Sequence, residues 1–185
     1  MLHVEATALR DVKIIQLKKF GDHRGFFSET YSQKAFSEAG IDQIFVQDNH
    51  SLSPLVGTLR GLHFQSPPFA QDKLIRVPHG RILDIAVDIR ASSPSFGKTV
   101  AVELSAENWL QLLVPAGFAH GFVTLEPDTE VLYKVSAPYA PANDHGLAFD
   151  DPALGIDWVL PADRLVLSDK DRKHPRLADL PRYFD

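Results

Sequence analysis

Alternation of large apolar and smaller or polar residues is the commonest pattern along this chain. Residues 100–104 and 131–135 show it most clearly, with valine, leucine or tyrosine at every second position. A period of two residues is typical of a β-strand with one buried face. The same reasoning predicts strands at 12–17, 45–51, 74–77 and 119–125. Residues 81–89 are more continuously apolar, which predicts a strand that is covered on both faces.

Helical signals are few and short. The clearest predicted helix covers residues 33–39, and a second short helix is predicted near 169–173, within a polar, proline-containing tail. The 13 prolines and 11 glycines are spread along the chain, as turn residues are in a β-rich fold. Many short strands favour a sandwich or barrel over alternating strands and helices. We therefore predict an all-β fold with a few short peripheral helices.

Composition narrows the class of protein. A length of 185 residues predicts a single domain, residues 1–185, and 44% hydrophobic with 23% charged residues is ordinary for a globular protein. The net charge of −5 argues against nucleic-acid binding, and the absence of cysteine excludes disulfides, zinc–thiolate sites and cysteine nucleophiles. No signal peptide is evident in the first 20 residues, and no segment approaches the ~20 apolar residues of a membrane helix. We expect a cytoplasmic protein that does not bind membranes.

Two segments resemble the metal-binding motifs of cupin barrels. His63 lies in Thr-Leu-Arg-Gly-Leu-His-Phe-Gln (58–65), where a cupin carries a His-x-His pair, but the second position is Gln65. Residues 115–120, Pro-Ala-Gly-Phe-Ala-His, match the later cupin pattern Pro-x-Gly-x-x-His and end at His120. The resemblance implies a cupin-type jelly-roll β-barrel that lacks a metal ligand, so we expect no metal. A histidine without a metal is free to accept a proton.

Six segments in order carry a more specific likeness. They are Phe-Gly-Asp-His-Arg-Gly-Phe-Phe (20–27), Val-Gln-Asp-Asn-His-Ser (46–51), Leu-Arg-Gly-Leu-His-Phe-Gln (59–65), Asp-Ile-Ala-Val-Asp-Ile-Arg (84–90), Ser-Pro-Ser-Phe-Gly (93–97) and Pro-Ala-Gly-Phe-Ala-His-Gly-Phe (115–122). From about residue 11 to about residue 175, the chain resembles the dTDP-4-dehydrorhamnose 3,5-epimerase family. The resemblance implies a cofactor-free homodimer whose sites take residues from both subunits. It also implies inversion of C3 and C5, which flank the C4 ketone of a dTDP-linked 4-keto-6-deoxyhexose.

The resemblance assigns four catalytic roles. His63 would be the general base, since histidine exchanges protons near neutral pH, although an isolated histidine is more often a core or surface residue. Asp171 would orient His63, with Asp169 as the alternative. Tyr133, which alternation places on the same face as Val131 and Val135, would be the acid, and Lys73 would stabilise the enolate oxygen. Without the family context, Tyr133 would be interpreted as core and Lys73 as a solvated lysine.

The remaining matching positions would bind substrate. Arg60 and His120 would serve the pyrophosphate and sugar, and alternation places Arg60 and His63 on opposite faces unless a bulge forms at Gly61. The expected nucleotide and substrate contacts, besides Lys73, are Arg24, Phe27, Glu29, Gln47, Asn49, Tyr139, Asp144 and Lys170. Phe27 and Tyr139 are the candidates for stacking on the base. Asp144 replaces the family's usual glutamate, and Phe149 replaces a frequent tryptophan.

Two aspartates, Asp84 and Asp88, lie in the apolar segment 81–89. A buried carboxylate is costly unless it is paired. Two roles are consistent with the sequence. One aspartate could orient a catalytic group, or an aspartate could form an ion pair with Arg76 or Arg90.

Three other functions remain open from the sequence. The first is a single-centre epimerase or ketoisomerase acting on a related dTDP-4-ketosugar. The second is a metal-dependent cupin using histidines such as His50, His63, His79 and His120, although the chain has no His-x-His spacing. The third is a non-catalytic sugar-nucleotide-binding module, for which an acid and a base together would be unnecessary.

Overall fold

Two antiparallel β-sheets form the body of the molecule. The computed structural model describes residues 2–185. Its strands are β1 (His3–Ala6), β2 (Lys13–Gln16), β3 (Phe20–Asp22), β4 (Gly25–Phe27), β5 (Gln47–Ser53), β6 (Leu59–Gln65), β7 (Lys73–His79), β8 (Arg81–Asp88), β9 (Thr99–Ser105), β10 (Leu110–Val114), β11 (Phe118–Thr124), β12 (Thr129–Val135) and β13 (Asp144–Gly146). The six-stranded sheet has the order β1-β2-β10-β7-β12-β5, and the five-stranded sheet has the order β13-β6-β11-β8-β9. Strands β3 and β4 form a separate hairpin.

This arrangement is the predicted all-β, cupin-type jelly-roll fold with short peripheral helices. The α-helix α1 (Gln33–Glu38) begins after Ser32, whose side chain accepts a hydrogen bond from the Ala35 amide. Five 3-10 turns follow later in the chain: Pro141–Asn143, Pro152–Leu154, Ala162–Arg164, Asp171–Lys173 and Leu177–Asp179. Among residues 2–185, no helix is long and apolar enough to cross a membrane.

The strands predicted from alternation are present, each with slightly different ends. The segments predicted at 12–17, 45–51, 74–77, 81–89, 100–104, 119–125 and 131–135 correspond to β2, β5, β7, β8, β9, β11 and β12. Alternation did not predict β1, β3, β4, β6, β10 or β13. Strand β10 is an almost continuous apolar run, and its central residues are buried. Strand β13 has three residues, too few to show a period.

Apolar side chains fill three layers. The first lies between the two sheets and includes Ile75, Leu112 and Phe122. The second covers the outer face of the five-stranded sheet with residues of the C-terminal segment such as Trp158. The third packs α1 against the outer face of the six-stranded sheet through Phe36. The tail is therefore part of the fold, and it closes over the sheet that contains β6 and β8.

Strand β8 is covered on both faces, as its apolar sequence predicted. Ile82 and Ala86 belong to the layer between the sheets, and Ile85 and Val87 belong to the layer beneath the C-terminal segment. Asp84 and Asp88 are fully buried. Since side chains alternate along a strand, both aspartates share the inward face of Ile82 and Ala86.

Asp88 is paired with Arg90 at the end of β8. Its carboxylate accepts hydrogen bonds from Arg90 Nε at 2.9 Å and Nη2 at 2.7 Å, and from the hydroxyls of Ser93 at 2.6 Å and Ser95 at 2.7 Å. Burial alone would raise the pKa of Asp88, but these hydrogen bonds lower it to about 2. Of the two roles considered from the sequence, Asp88 therefore has the ion pair with Arg90. Its contacts with Ser93 and Ser95 also stabilise the loop between β8 and β9.

We expect Asp88→Asn to destabilise the fold by about 2–3 kcal/mol at pH 7, because a buried charge-assisted network is lost. A carboxyl group whose pKa is lower in the folded state stabilises the fold above its unfolded pKa of about 3.9. That contribution is lost as pH falls towards the folded pKa of about 2. Urea unfolding at several pH values tests this. The difference between wild type and variant should shrink from pH 4 downwards, and a constant difference would contradict the assigned pKa.

Candidate active site

One extra residue in β6 brings Arg60 and His63 to the same cavity. His63 pairs with His120 of β11, but Arg60 pairs with Phe122, so β6 has two residues where β11 has only Gly121. The backbones approach closely there, because a Cβ on Gly61 would lie 2.6 Å from the Cα of Gly121. Gly61 also has a φ of +128°, a region that L residues rarely adopt. The bulge considered from the sequence is therefore present.

The cavity has a volume of about 270 Å³. It collects side chains from both sheets and from the C-terminal segment, and four of the residues expected to act in catalysis line it together. The residues around it are Ser51, Arg60, His63, Lys73, His120, Phe122, Tyr133, Ser168, Lys170 and Asp171. A neighbouring cavity of about 130 Å³ shares Tyr133 and includes Asn49 and Arg76.

His63 is hydrogen-bonded to Asp171 across the cavity wall. The distance from His63 Nε2 to Asp171 Oδ1 is 2.6 Å. Asp171, rather than Asp169, is thus the aspartate that contacts the histidine. A carboxylate at Nε2 favours the neutral tautomer with the proton on Nε2 and the lone pair on Nδ1. Burial lowers the pKa of His63, partly offset by Asp171, so the neutral imidazole is favoured near pH 7.

A second imidazole, that of His174, flanks Asp171. His174 Nε2 lies 3.4 Å from Asp171 Oδ1 but is not aligned for a hydrogen bond. Burial alone would raise the pKa of Asp171, but the imidazoles of His174 and His63 hold it below its ordinary value. Sequence reasoning missed His174. The available signal was its spacing of three residues from Asp171 at the end of the predicted short helix, which places both side chains on one side of a turn.

The ligand atoms of His63, Asp171 and His174 lie within 4.8 Å of one another. Two imidazoles and a carboxylate are a ligand set that divalent transition metals accept. This set differs from the cupin positions considered from the sequence. Gln65, at the position where a cupin has its second histidine, is buried. Its side-chain Nε2 donates hydrogen bonds to the backbone carbonyls of Phe69 at 2.7 Å and Pro138 at 3.1 Å.

Tyr133 and Lys73 project from neighbouring strands of the six-stranded sheet. Burial raises the pKa of the Tyr133 phenol, so the group retains its proton. Lys73 is buried, on the same face of β7 as Ile75 and Val77, and its ammonium donates a hydrogen bond to the His63 carbonyl at 3.1 Å. Burial lowers the pKa of Lys73 to about 8. The cavity thus contains a proton acceptor, a proton donor and a cation.

His120 is held by Asp84 from below the cavity. His120 Nε2 lies 2.9 Å from both carboxylate oxygens of Asp84. Burial raises the pKa of Asp84, and the charge and hydrogen bond of His120 act in the opposite direction. Both alternatives raised for the buried aspartates therefore occur, since Asp84 orients a cavity residue and Asp88 forms an ion pair with Arg90.

Five of the expected substrate-binding residues form a connected chain beside the cavity. Gln47 donates to Asn49 at 2.9 Å and accepts from the Tyr139 amide at 3.1 Å. The Tyr139 hydroxyl donates to Asp144 at 3.2 Å, and Asp144 is paired with Lys170. Asp144 thus reaches two neighbours although it is shorter than the glutamate expected there. Tyr139 is 58% exposed, which leaves its ring free to stack on a planar base.

Arg24, Phe27 and Glu29 are not among the residues that line the His63 cavity within one chain. Arg24 is paired with Asp22 on the hairpin, and Phe27 is 70% exposed. The hairpin packs through Phe26, whose ring is 5.1 Å from that of Trp109 in an edge-to-face arrangement. The hairpin therefore projects exposed aromatic side chains away from the chain's own core.

Comparison with known proteins identifies the family of the chain. Residues 6–179 match the family model described as dTDP-4-dehydrorhamnose 3,5-epimerase. A dTDP-4-dehydrorhamnose 3,5-epimerase of Sinorhizobium fredii is 51% identical over 183 residues, covering 99% of this chain and 93% of the relative.

Two crystal structures are similar over nearly the full length. A dTDP-4-dehydrorhamnose 3,5-epimerase from Bacillus anthracis, with TDP and PPi bound, has a TM-score of 0.92 and 47% identity, covering 95% of this chain and 99% of that one. A dTDP-6-deoxy-D-glucose 3,5-epimerase from Legionella pneumophila, in complex with dTDP-4-keto-L-rhamnose, has a TM-score of 0.93 and 42% identity, covering 100% of both chains. These comparisons support the double epimerase rather than the single-centre alternative. The chain belongs to the dTDP-4-dehydrorhamnose 3,5-epimerase family and is an isomerase of that activity.

Proposed function

We propose that this enzyme inverts C3 and C5 of dTDP-4-dehydro-6-deoxy-D-glucose with His63 as base and Tyr133 as acid. The product is dTDP-4-dehydro-L-rhamnose, an intermediate of dTDP-L-rhamnose biosynthesis. The observation that carries these roles is the 2.6 Å contact between His63 Nε2 and Asp171, in the same cavity as Tyr133 and Lys73. The contact leaves His63 Nδ1 as the nitrogen with a free lone pair.

Each inversion consists of two proton transfers. His63 Nδ1 takes the proton from the carbon next to the C4 ketone. The electron pair of that C–H bond forms a C=C bond to C4, and the π pair of the carbonyl moves to O4, which gives the enolate. Asp171 stabilises the imidazolium that forms. Tyr133 then donates its phenolic proton to the opposite face of the same carbon, and the C4 carbonyl is restored. Proton return from His63 to Tyr133 through solvent completes the cycle without a cofactor.

Lys73 would stabilise the enolate oxygen. Its ammonium is fixed by the His63 carbonyl, so it is held close to the base without being free in solvent. A fixed donor at a developing oxyanion contributes about 3 kcal/mol in a site that excludes water. The buried Asp84–His120 pair presents a second oriented imidazole to the sugar, and Arg60 and Lys170 supply positive charge for the pyrophosphate.

We expect His63→Ala to reduce deuterium exchange at C3 and C5 by about 10²–10⁴-fold, because the general base is lost. Proton NMR of the substrate in deuterated water measures the exchange. Binding of dTDP, measured by calorimetry, should change little. His79→Ala, an exposed histidine outside the cavity, is the matched control. Wild-type exchange in the His63 variant would contradict its role as base.

Tyr133→Phe should separate exchange from inversion. The ring shape is kept while the proton donor is removed. His63 should therefore still exchange protons, but the rate of formation of the inverted product should fall by at least about 10²-fold. The assay compares deuterium incorporation with the yield of the L-configured product by NMR. Inverted product at the wild-type rate would remove Tyr133 as the acid.

We also propose that two chains form a homodimer and that each hairpin reaches the partner's cavity. Support comes from the exposed Phe20, Phe26 and Phe27 on the hairpin, and from β5, which is an edge strand of the six-stranded sheet. Exposed aromatic clusters of this kind mark interaction surfaces. In this arrangement Arg24, Phe27 and Glu29 would complete the nucleotide site of the other subunit, as the family resemblance implies.

Co-expression of Arg24→Ala and His63→Ala chains tests this sharing. Arg24→Ala alone should bind dTDP weakly, and His63→Ala alone should be inactive. If the hairpin of one chain completes the site of its partner, each mixed dimer has one intact site and one doubly defective site. Random pairing then restores about a quarter of wild-type activity. A mixture no more active than the average of the two separate variants would mean that Arg24 serves its own chain.

A further inference from the structure

His63, Asp171 and His174 form a compact cluster, which we call the histidine–carboxylate cluster. Asp171 Oδ1 lies at its centre, 2.6 Å from His63 Nε2 and 3.4 Å from His174 Nε2. The three ligand atoms are all within 4.8 Å of one another. Zinc holds nitrogen and oxygen ligands at about 2.0–2.2 Å, so only small side-chain adjustments are needed for all three to bind one ion.

His174 Nε2 has an unmet bonding requirement. Its side chain is only 9% exposed, and within residues 2–185 this nitrogen has no hydrogen-bond partner. A Cβ on Gly146 would collide with the His174 ring, so the glycine at the end of β13 leaves the space that the ring fills. A buried imidazole nitrogen that faces a carboxylate without a hydrogen bond has its bonding satisfied when a cation lies between them.

We propose that the histidine–carboxylate cluster is a reversible binding site for a divalent transition-metal ion, with Zn²⁺ the best match, and that the ion inhibits the enzyme. Two imidazoles and one carboxylate suit Zn²⁺, Co²⁺ and Ni²⁺ better than Mg²⁺ or Ca²⁺, which prefer oxygen ligands. His63 and Asp171 line the substrate cavity, and His174 lines an adjoining surface cavity together with Lys173, so the cluster is reached from either side. An ion bound there lies in the wall of the substrate cavity.

Inhibition follows from the tautomer of His63 and rests on its proposed role as base. A neutral imidazole carries one proton. When Nε2 gives its lone pair to Zn²⁺, that proton lies on Nδ1, the nitrogen that must accept the substrate's proton. The metal-bound histidine therefore has no lone pair for C3 or C5. The ion also separates His63 from Asp171, which removes the partner of the imidazolium.

The surrounding charges set a limit on the affinity. The ammonium groups of Lys73 and Lys170 both lie on the same cavity as the cluster, and a dication is repelled by them. Asp144, which is paired with Lys170, and the buried Asp84 offset part of this repulsion. We therefore expect reversible binding that a chelator removes, rather than a permanently bound structural metal.

The test uses the whole enzyme, first freed of metal with a chelator. Co²⁺ alone is added, and its visible absorption reports a nitrogen-containing site of low coordination number, while calorimetry with Zn²⁺ alone gives the stoichiometry. We expect one ion per chain. Zn²⁺ should inhibit deuterium exchange into the substrate in competition with it, and EDTA should restore activity.

His174→Phe is the decisive variant, because it retains an aromatic ring beside Gly146 but has no ligand atom. It should raise the Zn²⁺ concentration for half-inhibition by at least about tenfold and abolish the Co²⁺ spectrum. His174→Ala serves if the phenylalanine variant does not fold, and circular dichroism checks both. His79→Gln, which removes an exposed histidine elsewhere, should leave binding and inhibition as in wild type.

The outcomes are distinguishable. Loss of binding and of inhibition together in the His174 variants supports the site. Absence of one-to-one binding in the wild type, or binding unchanged in the His174 variants, overturns it. Binding at the cluster without inhibition upholds the metal site and contradicts the proposed role of His63 as the base.

Discussion

The bulge in β6 is the constraint on which the active site depends. A regular strand would turn Arg60 and His63 to opposite faces, because successive side chains alternate. One additional residue between them brings both to the cavity, and the contact of Gly61 with Gly121 leaves no room for a Cβ at 61. The cost is local backbone strain at a position where only glycine is comfortable. The proposed base and the proposed phosphate-binding cation are thus brought together by the backbone of β6.

The rest of the fold makes a charged interior tolerable. Isolated buried charges are costly, but here each one has a partner. Asp88 is paired with Arg90, Asp84 is hydrogen-bonded to His120, and Asp171 is hydrogen-bonded to His63. Lys73 is satisfied by a backbone carbonyl and by two aspartates at longer range. The C-terminal segment that supplies Asp171 also covers an apolar face of the five-stranded sheet, so catalysis and stability both require it to stay docked.

The sequence predicted the barrel well because period-two alternation is a local property of each strand. The family resemblance indicated His63, Lys73 and Tyr133. Alternation placed Lys73 and Tyr133 on the inward faces of their strands, because neighbouring valines and isoleucines share those faces. The choice between Asp169 and Asp171 depended on the geometry of one 3-10 turn, which spacing alone does not determine. His174 was missed because its contact with Asp171 requires both that turn and the open space beside Gly146. Arg24, Phe27 and Glu29 were assigned by resemblance, and in the proposed dimer their place in the site depends on a second chain.

A single physical effect, burial, shifts the pKa values of both the proposed base and the proposed acid. Burial disfavours the charged form of any group. For histidine the charged form is protonated, so burial lowers the pKa of His63 and leaves it ready to accept a proton. For tyrosine the charged form is deprotonated, so burial raises the pKa of Tyr133 and keeps its proton in place. The same apolar surroundings therefore set two residues in opposite and complementary states. Because the C4 ketone acidifies both neighbouring carbons, the mechanism that we propose asks the pocket for only these two side chains and a cation at O4 at either centre.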